Sequence, residues 1–228
     1  MSPGCRHSDC GSTIMAAEPA GAAASVSDVL LLQFARAPVV GAVKTRMIPH
    51  LSPEQAMTLH CELVRWTAVT LVSAGLGPVE LAVAGQTGHA LFQECCRVGV
   101  KSVSCQRGRD LGERMYNAIS AGLNRCERVI LVGSDCPGID RAYLMRARDA
   151  LDHSELVLGP ATDGGYVLIG ARMVPPEIFL DISWGTASVL AETRRAMLAT
   201  GVTWAELPAL ADIDRPDDLA LWEQVRAP

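Results

Sequence analysis

Along this chain, short runs that are apolar at almost every position alternate with stretches in which apolar residues recur every three or four positions. Residues 29–34 (VLLLQF), 79–84 (VELAVA) and 129–132 (VILV) are of the first kind. Unbroken apolar runs of this length suit strands covered on both faces, as in a parallel sheet. Weaker strand signals fall at 101–105, 156–158, 166–169 and 202–207. Between them lie helical patterns with recognisable starts. Ser52-Pro53-Glu54-Gln55 reads as a capping box with proline in the first turn, and Ala56, Leu59, Leu63, Trp66 and Thr70 follow at helical spacing. Residues 90–97 form a short helix. Asp110 caps a helix whose apolar face carries Leu111, Met115, Ala118, Ile119 and Gly122, and Asp140 caps another that ends near Leu151. Residues 186–200 read as a helix stopped by Gly201. Pro216 opens a last one, with Asp217 and Asp218 in its first turn. This alternation predicts an α/β fold with a mostly parallel central sheet and helices on both faces. Ligands then bind beyond the carboxyl ends of the strands, so the loops after Phe34, Cys105, Val132 and Leu158 are the ones to inspect.

Composition narrows the function more than the fold. The chain has 228 residues, 49% of them apolar and 20% charged, with a formal net charge of -5. That is enough for one large domain with a substantial core. The acidic balance argues against nucleic acid as a partner, which would call for a basic surface. No apolar run approaches the roughly 18 residues of a membrane span. None of the eight cysteines forms a C-x-x-C pair, so they read as reduced thiols, mostly buried, in a cytoplasmic protein. Residues 1–27 are rich in Ala, Gly and Ser and lack the apolar core of a secretory signal. They are expected to be a disordered tail, with Met15 a second possible start. His50, His60, His89 and His153 have no ligand spacing and are read as structural.

Four segments carry candidate chemistry. In the first loop, Gly41 permits a tight turn and Lys44 and Arg46 place two cations near each other. They suit a diphosphate, Lys as a point charge and Arg as a two-pronged donor, or they are two solvated surface charges. The second segment runs from the strand at 129–132 through Gly133-Ser134 into Asp135. A carboxylate there projects over the ligand edge and suits Mg²⁺, which takes one or two carboxylates plus substrate phosphate oxygens; a turn aspartate is the plainer reading. The third is Asp163-Gly164-Gly165-Tyr166. Asp163 would orient or deprotonate an acceptor, but Asp-Gly is also a leading hairpin dipeptide, and on these residues alone the hairpin is preferred. In the fourth, Asp212 and Asp214 share one face of an extended segment, and either one would supply a second metal carboxylate; capping ahead of Pro216 alone would also explain Asp214. Gly108 and Gly112, in QRGRDLGERM, would let a ligand approach closely, and Trp184-Gly185-Thr186 forms either an acceptor wall or a cap.

Taken in order, PVVGAVKTRM, QRGRDLGERM, LVGSDCPG, GPATDGGYVLIG, WGT and DIDRPDDL resemble a bacterial GT-A-like glycosyltransferase family, one branch of which is associated with arsenosugar biosynthesis. The resemblance covers nearly all of the chain beyond the tail. It implies a single nucleotide-diphospho-sugar transferase-like domain over residues 28–228. It also implies Mg²⁺ or Mn²⁺ on Asp135 and on Asp214 or Asp212, with donor phosphates on Gly41, Lys44 and Arg46. Gln106 becomes the candidate reader of the nucleotide base. On the acceptor side Asp163 is the expected catalytic residue, with Gly164, Gly165, Tyr166, Trp184 and Thr186 beside it. Two departures pull toward nucleotidyl transfer. The stretch Ser134-Asp135-Cys136 replaces the Asp-x-Asp of many such glycosyltransferases, and the Lys44-x-Arg46 element is similar to that of guanylyltransferases that activate phospholactate or phosphoenolpyruvate. The Gly-rich opening of sugar nucleotidyltransferases is absent, which pulls back. The expected activity is metal-dependent glycosyl transfer from a nucleotide-sugar to a small-molecule acceptor. Guanylyltransferase-like transfer from a nucleoside triphosphate, with release of pyrophosphate, is the first alternative, and a non-catalytic nucleotide-binding module the second.

Overall fold

Strand β1 (Val29–Arg36) shows why its apolar run is unbroken: its two faces enter two different cores. Leu31 and Ala35 point to one, Leu30, Leu32 and Phe34 to the other. The computed structural model describes residues 28–226, and the tail expected over residues 1–27 lies outside the described residues. After β1 come α1 (Pro53–Ala74), β2 (Val79–Ala84), α2 (Ala90–Arg97), β3 (Ser102–Cys105), α3 (Leu111–Leu123) and β4 (Arg128–Val132). The second half holds α4 (Arg141–Ala150), β5 (Leu156–Pro160), β6 (Tyr166–Ala171), α5 (Val189–Thr200), β7 (Trp204–Glu206) and α6 (Leu219–Arg226). Among the described residues these strands form one seven-stranded sheet in the order β3-β2-β1-β4-β6-β5-β7.

The sheet is mostly parallel, as expected. The exception is β6, which runs antiparallel to both β4 and β5 because a five-residue hairpin joins it to β5. A connection that short has no room for a crossover helix. Strand β4 sits at the centre with β1 and β6 on its flanks, so the carboxyl ends of β1, β2, β3, β4 and β5 open on one edge.

The expected caps form. Ser52 and Gln55 make a reciprocal capping box at α1, and Asp110 and Asp140 accept from Glu113 N–H and Tyr143 N–H. Each is worth about 1 kcal/mol. The apolar stripe of α1 is broader than expected: Val64, Ala68 and Leu71 are buried, while Trp66 and Thr70 are only half-buried. Helix α5 starts at Val189, later than expected, because residues around Thr186 form a turn instead. The last strand is shortened to β7. Pro216–Asp218 forms a 3-10 turn that leads into α6. Of the six described cysteines, all free, only Cys95 and Cys136 are buried and Cys96 and Cys105 are exposed, so the expectation of mostly buried thiols is corrected. Among the described residues no helix is long and apolar enough to cross a membrane.

Candidate active site

Three loops from the carboxyl edge meet at the ammonium of Lys44. The loop after β1 turns through Gly41 (φ 75°) and then places Lys44 itself in the left-handed region (φ 50°), a conformation unfavourable for a residue with a Cβ. The Lys44 side chain is only 3% exposed. Its Nζ donates to the Ile213 carbonyl at 2.6 Å, lies 2.8 Å from Asp135 Oδ1 and 4.0 Å from Asp214 Oδ1. Ile213 anchors the third loop: it is fully buried beside α1 and its N–H donates to the Asp135 carbonyl at 2.8 Å. Asp212 and Asp214 therefore flank a buried apolar residue and both line the acidic recess described below.

Lys44 and Arg46, expected at phosphates, and Asp135 and Asp214, expected at a metal, are brought together and neutralise one another. Arg46 donates to Asp214 Oδ2 at 2.5 Å and reaches the Gly185 carbonyl at 3.4 Å. Burial raises the affinity of Asp135 for a proton, but the charge of Lys44 outweighs it and holds the carboxyl below its ordinary range. The side chain of Asp135 is nevertheless 45% exposed, toward the cleft, so the pair is partly screened. Capping does not account for Asp214. The backbone N–H groups of Asp214 and Arg215 are instead taken by Asp218, at 3.0 and 2.7 Å.

The cleft around Lys44 is polar and encloses about 490 Å³. Its walls add Arg36 and Arg114, two cations with no motif of their own in the sequence, to Lys44 and Arg46. Arg114 is oriented by its bond to the Gly108 carbonyl at 3.1 Å. His60, read as structural, also lines this cleft, bonded to the Arg36 carbonyl at 3.0 Å. Burial lowers its pKa, only partly opposed by the Arg36 carbonyl and the Asp135 charge, so the ring is neutral near pH 7. Ser134 is buried and tied to Gln33 and to the Phe34 carbonyl, which fixes the turn that presents Asp135. Burial pushes the neighbouring Cys136 thiol up to about 12, leaving it protonated.

Several expected ligand contacts are packing instead. Gly41 shapes its exposed turn but does not line the cleft. A Cβ on Gly112 would lie 2.7 Å from the Trp184 ring, and one on Gly108 2.7 Å from Arg114 N, so both glycines admit protein and not ligand. Gly164 (φ 94°) is closed by the Ala187 carbonyl, 2.2 Å from where its Cβ would be. Gly165 and Asp163 do line a space beside the cleft, in a hairpin where Asp163 Oδ1 accepts from Gly165 N–H at 2.9 Å. Both of that segment's readings are thus compatible. Gln106 donates to the carbonyls of Ala35 and Ala82, at 3.2 and 3.0 Å, so its amide protons are spent and only its oxygen is left to accept. The Tyr166 hydroxyl is buried beside Thr193, which removes it from acceptor contact and leaves its ring as a wall. Thr186 spends its hydroxyl within the turn, on the Ser183 carbonyl and Ser188.

Two smaller chambers open from the same cleft. One, of about 210 Å³, is largely apolar and is walled by residues such as Phe34, Leu131, Ile169 and Trp184. The other, also about 210 Å³, is acidic, with Asp163, Asp212, Asp214 and Asp218 around Arg46 and Arg215. Asp212 there has a raised pKa, first from burial and then from the charges of Asp163 and Asp214. Arg46 lines all three spaces.

A family model described as uncharacterized protein conserved in bacteria (DUF2064) matches residues 67–186, a little over half of the chain. The chain belongs to this family. The matched segment contains Asp135, the hairpin at Asp163 and Trp184. The fold is that of nucleotide-diphospho-sugar transferases. A candidate nucleotide-diphospho-sugar transferase from Desulfovibrio desulfuricans G20 is 29% identical, with 88% of each chain covered and a TM-score of 0.78. The 4-diphosphocytidyl-2C-methyl-D-erythritol synthase of Anaerococcus prevotii is 8% identical (TM-score 0.57, 87% of this chain and 99% of that one). The inositol-1-phosphate CTP transferase of T. maritima is 14% identical (TM-score 0.54, 88% of this chain and 95% of that one). The last two share the fold alone. No curated protein matches the sequence.

Proposed function

We propose that the protein transfers a group from a nucleotide diphosphate-activated donor, with glycosyl transfer to a small-molecule acceptor as its reaction. The observation that carries this reading is the convergence of Lys44, Asp135 and Asp214 in a cleft walled by Arg36, Arg46 and Arg114. Such a cleft can neutralise the charge that builds on a leaving diphosphate. The likeness to the Desulfovibrio protein supports a nucleotide-sugar as donor.

Mg²⁺ or Mn²⁺ would be held by Asp135 and Asp214, the two carboxylates that Lys44 approaches at 2.8 and 4.0 Å. Among the described residues no three His, Cys, Asp or Glu side chains gather to hold a metal. Two carboxylates completed by donor phosphate oxygens are nonetheless the usual set for Mg²⁺. Asp135 supports this role: its side chain is 45% exposed toward the cleft and its carboxyl is held ionised by the charge of Lys44. A divalent ion there would polarise the phosphate oxygens. Lys44 and Arg46, released from the carboxylates, would turn to the diphosphate. Gln106, as an acceptor, selects a base that presents an amino or imino N–H. Asp163, held by Gly165, is placed to take the acceptor proton.

Nucleotidyl transfer is the second reading, favoured by the missing second aspartate in Ser134-Asp135-Cys136. Its acceptor would be a phosphate. Among the described residues the hairpin side of the cleft offers such a group only Arg46 and Arg215 among four aspartates. The two reactions differ in what leaves. Incubation with Mg²⁺ and a panel of nucleotide-sugars or nucleoside triphosphates should release nucleoside diphosphate; pyrophosphate release would select the second reading. Binding without turnover on any donor would leave a nucleotide-binding module.

A further inference from the structure

We propose that the apolar chamber beside the cleft receives an acceptor whose buried part is a single aromatic ring or a branched alkyl group of that size, with one hydroxyl held at the chamber mouth. The inference rests on the transferase reading above and adds the acceptor's chemical class.

The walls decide the class. Phe34, Leu111, Met115, Leu131, Ile169 and Trp184 surround the chamber. The polar side chains nearby do not serve its interior: the Tyr166 hydroxyl is sealed in the core and the Thr186 hydroxyl is committed to its turn. A sugar or polyol pushed inside would give up its hydrogen bonds to water and find none in exchange. An aryl or alkyl group gains from the same burial. Size agrees as well. An apolar cavity of about 150 Å³ is known to hold benzene, and this chamber is about 210 Å³.

Two further features point to a ligand in this place. Leu111, in the first turn of α3, is 41% exposed although it lines the opening between the chamber and the polar cleft. A bound ring would cover it. At the mouth, Asp163 is fixed through Oδ1 by the Gly165 N–H, while its other carboxylate oxygen has no protein hydrogen bond. Among the described residues Arg46 is the one cation lining the chamber, and the reading above gives it to the donor diphosphate, so a phosphorylated acceptor finds no second cation there. The hydroxyl oxygen of the acceptor would form a bond to the anomeric carbon of the donor sugar. The bond from that carbon to the phosphate oxygen breaks, its electron pair leaves with the nucleoside diphosphate, and the hydroxyl proton passes to Asp163.

The test uses the full chain with methyl-labelled methionine, titrated with 4-methylphenol and, as the polar control, myo-inositol. UDP, GDP and CDP with Mg²⁺ are titrated separately. The phenol should shift the Met115 methyl resonance and bind at least about ten-fold more tightly than the inositol, since a buried ring is worth well over 1.4 kcal/mol. Leu111→Trp, which fills the chamber from its open side, should weaken phenol binding by a similar factor. Inositol binding as well as the phenol, or an unmoved Met115 methyl in the unaltered protein, would overturn the proposal whether or not the variant folds. A protein that takes the phenol but none of the nucleotides would instead overturn the transferase reading, and with it the acceptor role, leaving the chamber's ligand class intact.

Discussion

The two halves of the ligand edge are built on opposite principles. Where β1 and β4 end, the loops bury charge: Lys44 is almost fully enclosed and is tolerable there only because Asp135 and the Ile213 carbonyl meet it. Beside the hairpin that joins β5 to β6, the apolar chamber has tightly fitted walls, with Trp184 against Tyr166 and Phe179 and glycines placed where a Cβ cannot go. The first half holds charge in reserve, in ion pairs that line the polar cleft. The second half holds shape. Reserve and shape suit a donor diphosphate and an acceptor body respectively.

The largest expected effect lies in the half built on shape. Gly164→Ala puts a Cβ against the Ala187 carbonyl at a positive φ. It should cost about 3 kcal/mol or more in denaturant unfolding. In the other half, Arg46→Ala should weaken nucleotide-donor binding by about 1.5–3 kcal/mol, the scale of a hydrogen bond to a charged group, as read by calorimetry. Unchanged affinity would return Arg46 to the role of a surface charge bound to Asp214. Gly133→Ala sharpens the contrast between the two halves. The nearest protein atom to its Cβ is 4.0 Å away, so stability should change by less than about 1 kcal/mol, while donor binding weakens because the methyl enters the cleft.

The smallest effect separates two carboxylates by pH. Asp135 has a lowered pKa, so its contribution to stability is complete above the ordinary value of 3.8 and is lost as the pH falls below it. Asp212 has a raised pKa, so it penalises the fold at neutral pH, and the penalty fades as the pH falls through its raised pKa toward 3.8. Asp212→Asn should therefore stabilise the protein at pH 7 by under about 1 kcal/mol, and the gain should vanish by pH 3. A gain that persists at pH 3 would mean that charge is not the cause.

What the sequence made legible follows from the range of each interaction. Caps such as Ser52, Asp110 and Asp140 act over three residues, and the strand runs carry their own burial pattern, so these elements and the carboxyl edge could be located from the chain alone. The residues of the site were also largely visible: Lys44, Asp135, Asp163 and Asp214 all reach the cleft or its recesses. Their partners were not. Lys44 meets a carbonyl 169 positions away and Arg46 a carboxylate 168 away, and no local pattern encodes such a pairing. The same holds for Gly112 and Gly164, whose close neighbours are Trp184 and Ala187. His60 and Arg114 were missed because each belongs to a helix whose periodicity accounts for it without any ligand, although two further basic side chains near the strand ends were a signal in principle.

The central proposal is that Asp135 and Asp214, the two carboxylates Lys44 approaches, serve a divalent ion shared with the donor. Titration of a nucleoside diphosphate with and without Mg²⁺ or Mn²⁺, in the parent and in Asp135→Asn and Asp214→Asn, tests it directly. The account predicts tighter binding with metal in the parent and loss of that gain in both variants. Full metal dependence retained in both would contradict it and leave the two carboxylates as the counter-ions of Lys44 and Arg46.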